Sequence, residues 1–175
     1  IFNSNVGIGT NAPAFKLDVA GKVNTDKYSG YYQDGQLLGY ASTTNSSTVF
    51  GFAAGNSATT SNTSFLQTTA FGYKTLNANA NGIANVGVGY TALQSNTSGG
   101  SNTAVGTAAL NSNISGSGNA ALGAFALQFQ QGAKNVGIGF NAGIGSTAFT
   151  STGSIAIGYN AGFSASNGSD FNTII

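Results

Sequence analysis

The sequence contains no histidine, cysteine, arginine or glutamate, and its only charged side chains are five lysines and four aspartates. A serine nucleophile would therefore lack a histidine base, and a metal site would lack nitrogen and sulfur ligands. Paired carboxylates for glycoside cleavage would have to come from aspartates that are far apart in the sequence. We therefore predict that the chain is not an enzyme and holds no cofactor or metal ion.

The scarcity of charge also limits the partners that the chain is expected to bind. A formal net charge of +1 provides no electrostatic footprint for nucleic acid or an anionic membrane. No apolar run approaches the roughly 20 residues that span a bilayer, so we predict no membrane insertion by this segment. The chain also lacks methionine, so residue 1 is not expected to be a translation start and the sequence is expected to be a piece of a longer chain.

What the sequence does contain is a short motif that recurs around a central glycine. Residues 102–110, NTAVGTAAL, are one copy, and the central glycines in the middle of the chain are 17 residues apart. A regular period of this kind is typical of stacked repeats. The sequence therefore predicts an all-β fold, a parallel β-roll or β-solenoid with rungs of about 17 residues. The central glycines are Gly51, Gly72, Gly89, Gly106, Gly123, Gly139 and Gly158.

The positions around the central glycine, which is numbered 0, form columns of similar residues. Position −2 is small in most copies, position −1 is large and apolar, and position +1 is mostly aromatic. A strand sends alternate side chains to opposite faces, so the small and large columns face opposite ways. Neither face is strongly polar, which indicates burial on both sides and requires a second copy of the chain to cover one of them. The pattern does not decide which face is inward.

Position −4 is asparagine in four consecutive copies. In stacked β structures, such asparagines form hydrogen-bonded ladders along the stack, and we expect one here. These residues are Asn85, Asn102, Asn119 and Asn135.

The aromatic column supports two interpretations. Exposed rings would stack on carbohydrate, whereas an internal aromatic stack would stabilise the roll, and the second interpretation is favoured. Tyr28, Tyr31 and Tyr32 lie outside the repeats and are candidates for exposed contacts with a receptor or glycan, although packing onto the roll is the simpler explanation. Lys74 and Lys134 are expected to be solvated charges that discourage edge-to-edge aggregation.

The chain divides into three parts. Residues 1–9 are predicted to form a rung-like strand, and residues 10–45 a non-repeat segment with a strand near Leu17 and a hairpin turn at Asp34-Gly35. Residues 46–175 hold the repeats and end in an incomplete rung at 172–175. The stretches that connect the repeat strands are predicted to contain two turns and a short second strand.

The repeats resemble those of a known family. NTAVGTAAL and its variants NVGVGYTAL and SIAIGYNAG are similar to the left-handed parallel β-roll repeats in the heads of trimeric autotransporter adhesins. Residues 5–23, NVGIGTNAPAFKLDVAGKV, resemble a segment of phage tail fibres and bacterial surface proteins that carry an endosialidase-type chaperone domain. The resemblance implies a left-handed homotrimer that functions in attachment. The longer rungs, the aromatic column and residues 10–45 depart from the adhesin pattern.

These observations predict an extracellular fibre segment, on a cell surface or a virion, that self-assembles through stacked β rungs and mediates attachment. Repeated weak contacts on identical chains would supply the affinity. One alternative is a filament subunit that polymerises end to end through uncapped rungs. Another is a monomeric solenoid that binds a regular surface such as ice; Thr48, Thr69 and Thr103 share a column, but apolar residues interrupt it.

Overall fold

A computed structural model of the chain describes residues 6–15, 17–19, 31–33, 36–42, 46–55, 67–145, 150–162 and 173–175. These residues form strands and turns and contain no helix, which confirms the all-β prediction. The strands are β1 (Val6–Ile8), β2 (Leu17–Val19), β3 (Tyr31–Gln33), β4 (Gln36–Ser42), β5 (Ser47–Phe50), β6 (Thr69–Phe71), β7 (Val86–Val88), β8 (Thr103–Val105), β9 (Ala120–Leu122), β10 (Val136–Ile138), β11 (Ile155–Ile157) and β12 (Thr173–Ile174).

Strands β3 to β12 form one sheet in chain order, and every neighbouring pair from β5 to β12 is parallel. In the middle of the sheet, Val86 pairs with Thr103 and Thr103 with Ala120, so the register repeats every 17 residues. The predicted parallel β-solenoid is therefore confirmed. Strands β3, β4 and β5 are joined by antiparallel pairing, and β1 and β2 form a separate parallel pair. Strands β3 and β4 flank Asp34-Gly35, as the hairpin prediction requires, although that dipeptide lies outside the described residues.

The small column at position −2 points into the roll. Ala70, Ala104 and Ala121 are buried, and leucines at position +4 on the opposite wall fill the space across from them. At Gly137, an added Cβ would lie 2.7 Å from Cγ of Leu127, so the interior of this rung has no room for a larger residue at position −2, whereas the first rung accommodates the buried Val49. The face that carries the position −2 residues is therefore the inward face, a choice that the sequence pattern did not decide. The buried leucines are Leu76, Leu93, Leu110 and Leu127.

The return walls of the described rungs are built from turns. The predicted second strand is therefore wrong for the stretches that connect β6 to β10, where an isolated bridge at Gln130 is the only strand-like pairing. Thr91 and Leu93 both have left-handed backbones, with φ of 54° and 51°, and this repeated left-handed geometry prevents an extended strand. The Thr91 N–H donates to the Tyr73 carbonyl of the preceding rung at 2.9 Å. The Leu93 N–H donates to the Ala109 carbonyl of the following rung at 3.0 Å. Turns can therefore satisfy the backbone between rungs as strands do.

The central glycines form the corner between the sheet and the return wall. Their φ values lie between +123° and +136°, a region that is open to glycine and strained for other residues. An added Cβ at Gly106 would also lie 2.5 Å from the carbonyl oxygen of Gly123 in the next rung. Glycine recurs at this position for both reasons.

Replacement of Gly106 by leucine should disrupt the stack, because the new side chain meets the backbone of the next rung and the corner becomes strained. We expect the free energy of unfolding to fall by at least about 3 kcal/mol, measured by thermal and denaturant unfolding. Thr107→Leu is the matched control, because the adjacent Thr107 side chain is exposed and should accept leucine with little change. Equal melting temperatures for the two variants would contradict the close-approach explanation.

Candidate functional site: the outer face

The large apolar side chains at position −1 point away from the interior of the roll. Together with the residues at position −3, they form a surface that we call the outer face. Six of its seven position −1 residues are exposed, and Val105 is half-buried. A surface of this composition is typical of an association site, because it carries no charge and little polarity. Its position −1 residues are Phe50, Phe71, Val88, Val105, Leu122, Ile138 and Ile157, and its position −3 residues are Thr48, Thr69, Val86, Thr103, Ala120, Val136 and Ile155.

The aromatic column at position +1 forms a stack, but on the outside of the roll. The ring centroids of Phe52 and Tyr73 are 5.7 Å apart, and those of Tyr73 and Tyr90 are 5.1 Å apart, with interplanar angles of 9° in both pairs. Phe140 and Tyr159 stack in the same way at 5.7 Å. The favoured internal stack is therefore wrong for the single chain, because alanines and leucines on the return wall already fill the interior.

The rings in this column cover one another's faces. Tyr73 has a ring on each side and is 37% exposed, whereas Tyr90 is 56% exposed because Thr107 occupies the next rung. Tyr159, which has one described ring neighbour, is 76% exposed. Carbohydrate stacking needs open ring faces. Thr107 and Ala124 divide the column into two short stacks, in which open ring faces occur only at the ends. The column is therefore better suited to packing against another apolar surface than to serving as an extended sugar platform.

The expected asparagine ladder holds the rungs in register from inside. The backbone N–H groups of Asn102 and Asn119 donate to Oδ1 of the asparagine one rung before, Asn85 and Asn102 respectively, both at 2.9 Å. Asn135 continues the series with a bond of 3.0 Å to Asn119. The Asn102 side-chain amide donates across the rung to the carbonyl of Gly116 at 2.8 Å. All four asparagines are buried, so the interior of the roll contains a fully hydrogen-bonded polar column.

A second asparagine ladder runs beside the first and was not assigned from the sequence. The side-chain amides of Asn85 and Asn96, one from each ladder, both donate to the carbonyl of Gly99. Nδ2 of Asn96 donates to Oδ1 of Asn79 at 2.6 Å, and Nδ2 of Asn113 donates to Oδ1 of Asn96 at 2.9 Å. The next rung has Gln130, whose Nε2 donates to Oγ of Ser151 instead. Among the described residues, Oδ1 of Asn113 is the buried side-chain atom without a hydrogen bond, because this ladder ends there.

The candidate contact residues outside the repeats are only partly described. Tyr31 and Tyr32 lie in β3, at the edge of the sheet, with a shift of register between them; Tyr28 lies outside the described residues. Lys134 is exposed, as predicted, and Nζ of Lys74 is 5.3 Å from the centroid of the Tyr73 ring. The described contacts therefore do not bring the candidate tyrosines and the outer face into one site.

The described residues contain neither a metal-binding cluster nor a membrane-spanning helix. Within them, no group of three or more histidine, cysteine, aspartate or glutamate side chains occurs that could hold a metal ion. The part of the chain that is described also has no helix long and apolar enough to cross a bilayer.

Comparison with known proteins found no protein-family model, no curated protein and no solved structure that matches this chain.

Replacement of Asn102 by alanine should destabilise the solenoid from within. The change removes the acceptor for the Asn119 backbone N–H and one donor to Gly116, and it leaves a buried N–H unpaired. We expect a loss of about 3 kcal/mol in the free energy of unfolding, measured by denaturant titration. Asn81→Ala is the control, because the Asn81 side chain is exposed, and it should change stability by less than about 0.5 kcal/mol. Equal losses in the two variants would mean that the ladder does not carry the stability assigned to it.

Proposed function

We propose that this chain is a structural and adhesive fibre segment whose copies associate side by side, as a homotrimer, through the outer face and the aromatic column. The fibre would stand outside the cell, on a bacterial surface or a virion, and would mediate attachment. The observation that carries the proposal is the apolar outer face, which the single chain leaves exposed along seven successive strands.

The dimensions of the outer face support association. Its seven position −1 residues, at the usual strand spacing of about 4.8 Å, form a stripe about 29 Å long. The aromatic column extends the apolar surface on one side. Soluble monomers rarely expose contiguous apolar patches larger than a few hundred Å². Lateral association would remove this surface from water at roughly 25 cal/mol per Å².

The low charge of the repeats supports a second copy of the same chain as the partner. Between residues 67 and 145 the charged residues are Lys74 and Lys134, and neither belongs to the outer face or the aromatic column. Identical outer faces can therefore meet without repulsion between like charges, whereas the aromatic column has the Lys74 ammonium beside its Tyr73 ring. A closed cyclic arrangement would bury the same columns on every copy. The resemblance to adhesin heads favours three copies and a left-handed winding.

Attachment would follow from the geometry of such a fibre. Each copy presents the same turns and the same candidate contacts, Tyr28, Tyr31 and Tyr32, so a weak contact with a receptor or glycan is multiplied. No step of this function requires a titrating side chain or a metal ion. We therefore retain the view that the segment has no enzymatic activity and binds no cofactor.

A monomer that binds a regular surface is the second candidate. Thr48 and Thr103 point outward from the sheet and are exposed, and Thr69 is half-exposed in the same column. Such a row could face an ordered surface such as ice. The interrupting residues Val86, Ala120, Val136 and Ile155 make the row apolar over most of its length, which favours a protein partner.

Leu122→Asp should dissociate the assembly, because a carboxylate on the outer face would have to be desolvated between copies. The matched control is Ile114→Asp, since Leu122 is 52% exposed on the outer face and Ile114 is 51% exposed on the opposite corner of the rung. We expect the dissociation constant to rise at least about a hundredfold for Leu122→Asp, measured by sedimentation over a concentration series. The control should sediment like the unaltered chain.

Two results would contradict the proposal. One is unaltered sedimentation of a folded Leu122→Asp variant. The other is equal dissociation of both variants, which would assign the effect to added charge instead of to the outer face.

A further inference from the structure

The two ends of the solenoid differ in how their edge strands are paired. Toward the C-terminus, β12 adds to β11 in parallel, as every rung strand adds to the one before it. At the other end, β5 is paired with β4 in antiparallel orientation through Gly39, Tyr40, Ala41 and Ser42. Strand β3 then pairs with β4, again antiparallel.

The hairpin takes the place of a preceding rung in the backbone hydrogen bonding. In later rungs, the N–H of the corner glycine donates to the position −1 carbonyl of the rung before: Gly72 donates to Phe50 at 2.9 Å, and the same bond recurs at each later corner. The Gly51 N–H has no earlier rung available and donates to the carbonyl of Leu38 in β4 at 2.7 Å. Strand β4 therefore satisfies the groups through which β5 would otherwise pair with another rung.

Gly39 allows the hairpin to lie close against the first rung. It is buried and stands opposite Phe50. A Cβ added at Gly39 would lie 2.7 Å from Cδ2 of the Phe50 ring and 2.7 Å from the Val49 carbonyl oxygen. Any larger residue would therefore push β4 away from β5.

The outer edge of β3, which the hairpin exposes in place of β5, is a poor template for a further strand. The register of β3 against β4 shifts between Tyr31 and Tyr32, and such irregularities interrupt the regular ladder that an added strand would need. Strand β3 runs in the same direction as the rungs, because two antiparallel pairings separate it from β5. Its short length of three residues and its shifted register, rather than its direction, interrupt the ladder.

From these contacts we propose that the β3–β4 hairpin is a cap, and that the edge of β5 that it covers would otherwise pair with a rung of a second copy of this chain. With the cap in place, copies do not stack end to end, and the solenoid keeps a single length. The proposal disfavours the filament alternative and does not rest on the homotrimer. Axial stacking changes the length of the rod, whereas lateral association changes its mass per unit length.

Gly39→Val in the full chain should open this edge. A heterologous contact that does not close on itself continues into a filament, so we expect the mean rod length to rise at least about twofold at concentrations where the unaltered chain does not lengthen. Rod length would be measured by negative-stain electron microscopy and mass by light scattering. Ser115→Val is the matched control, because it introduces the same side chain at an exposed site in the middle of the solenoid, outside the outer face and the aromatic column.

A second variant, Tyr40→Pro, tests the cap by removing a backbone donor of β4 that faces β5. The bond from the Gly51 N–H to the Leu38 carbonyl places the backbone groups of Tyr40, two residues further along, on the β5 side of β4, opposite Val49. Circular dichroism and melting show which variants keep the solenoid. A folded variant of either kind that keeps the unaltered length overturns the proposal, and so does growth of the unaltered chain itself. If neither variant folds, the rod length of the unaltered chain is the test. A constant length over a concentration series supports the cap, and an increase in length refutes it.

Discussion

The rest of the structure depends on the hydrogen-bonded register between successive rungs. Backbone groups in the sheet, at the corners and in the return wall all form hydrogen bonds with the rung before or the rung after. Each residue therefore lies next to the residue at the same position of the neighbouring repeat. A residue can recur only if it tolerates its own copy as a neighbour. Gly106 meets the backbone of Gly123, and Asn102 exchanges hydrogen bonds with Asn85 and Asn119. The sequence repeats about every 17 residues because this constraint acts on every rung.

The same constraint determines what remains at the surface. The roll is thin, and alanines, leucines and asparagines fill it, so the large position −1 side chains and the position +1 rings have no interior to enter. They are left outside as uncharged columns. The exterior is thus apolar because the thin interior is already filled by small and polar residues. The proposed lateral assembly is the simplest way to bury this apolar exterior. The antiparallel hairpin at β5 would then leave the sides of the rod as the surfaces available for association.

The period of 17 was sufficient to predict the all-β class, the parallel solenoid, the strands and the first asparagine ladder. The inward face was not predictable, because strand alternation is symmetric and neither column is polar. The return wall was missed because Thr91 and Leu93 carry no signature of a left-handed backbone; their geometry comes from bonding to both neighbouring rungs. Asn79, Asn96 and Asn113 also recur every 17 residues, so the second ladder was visible as spacing but had no assigned role.

The most direct test of the account is the native mass of the unaltered chain, measured by light scattering after size exclusion. The proposed homotrimer has three times the chain mass of 17.3 kDa, and this mass should stay unchanged over a concentration series. A stable monomer would contradict it, because the outer face would then remain in water.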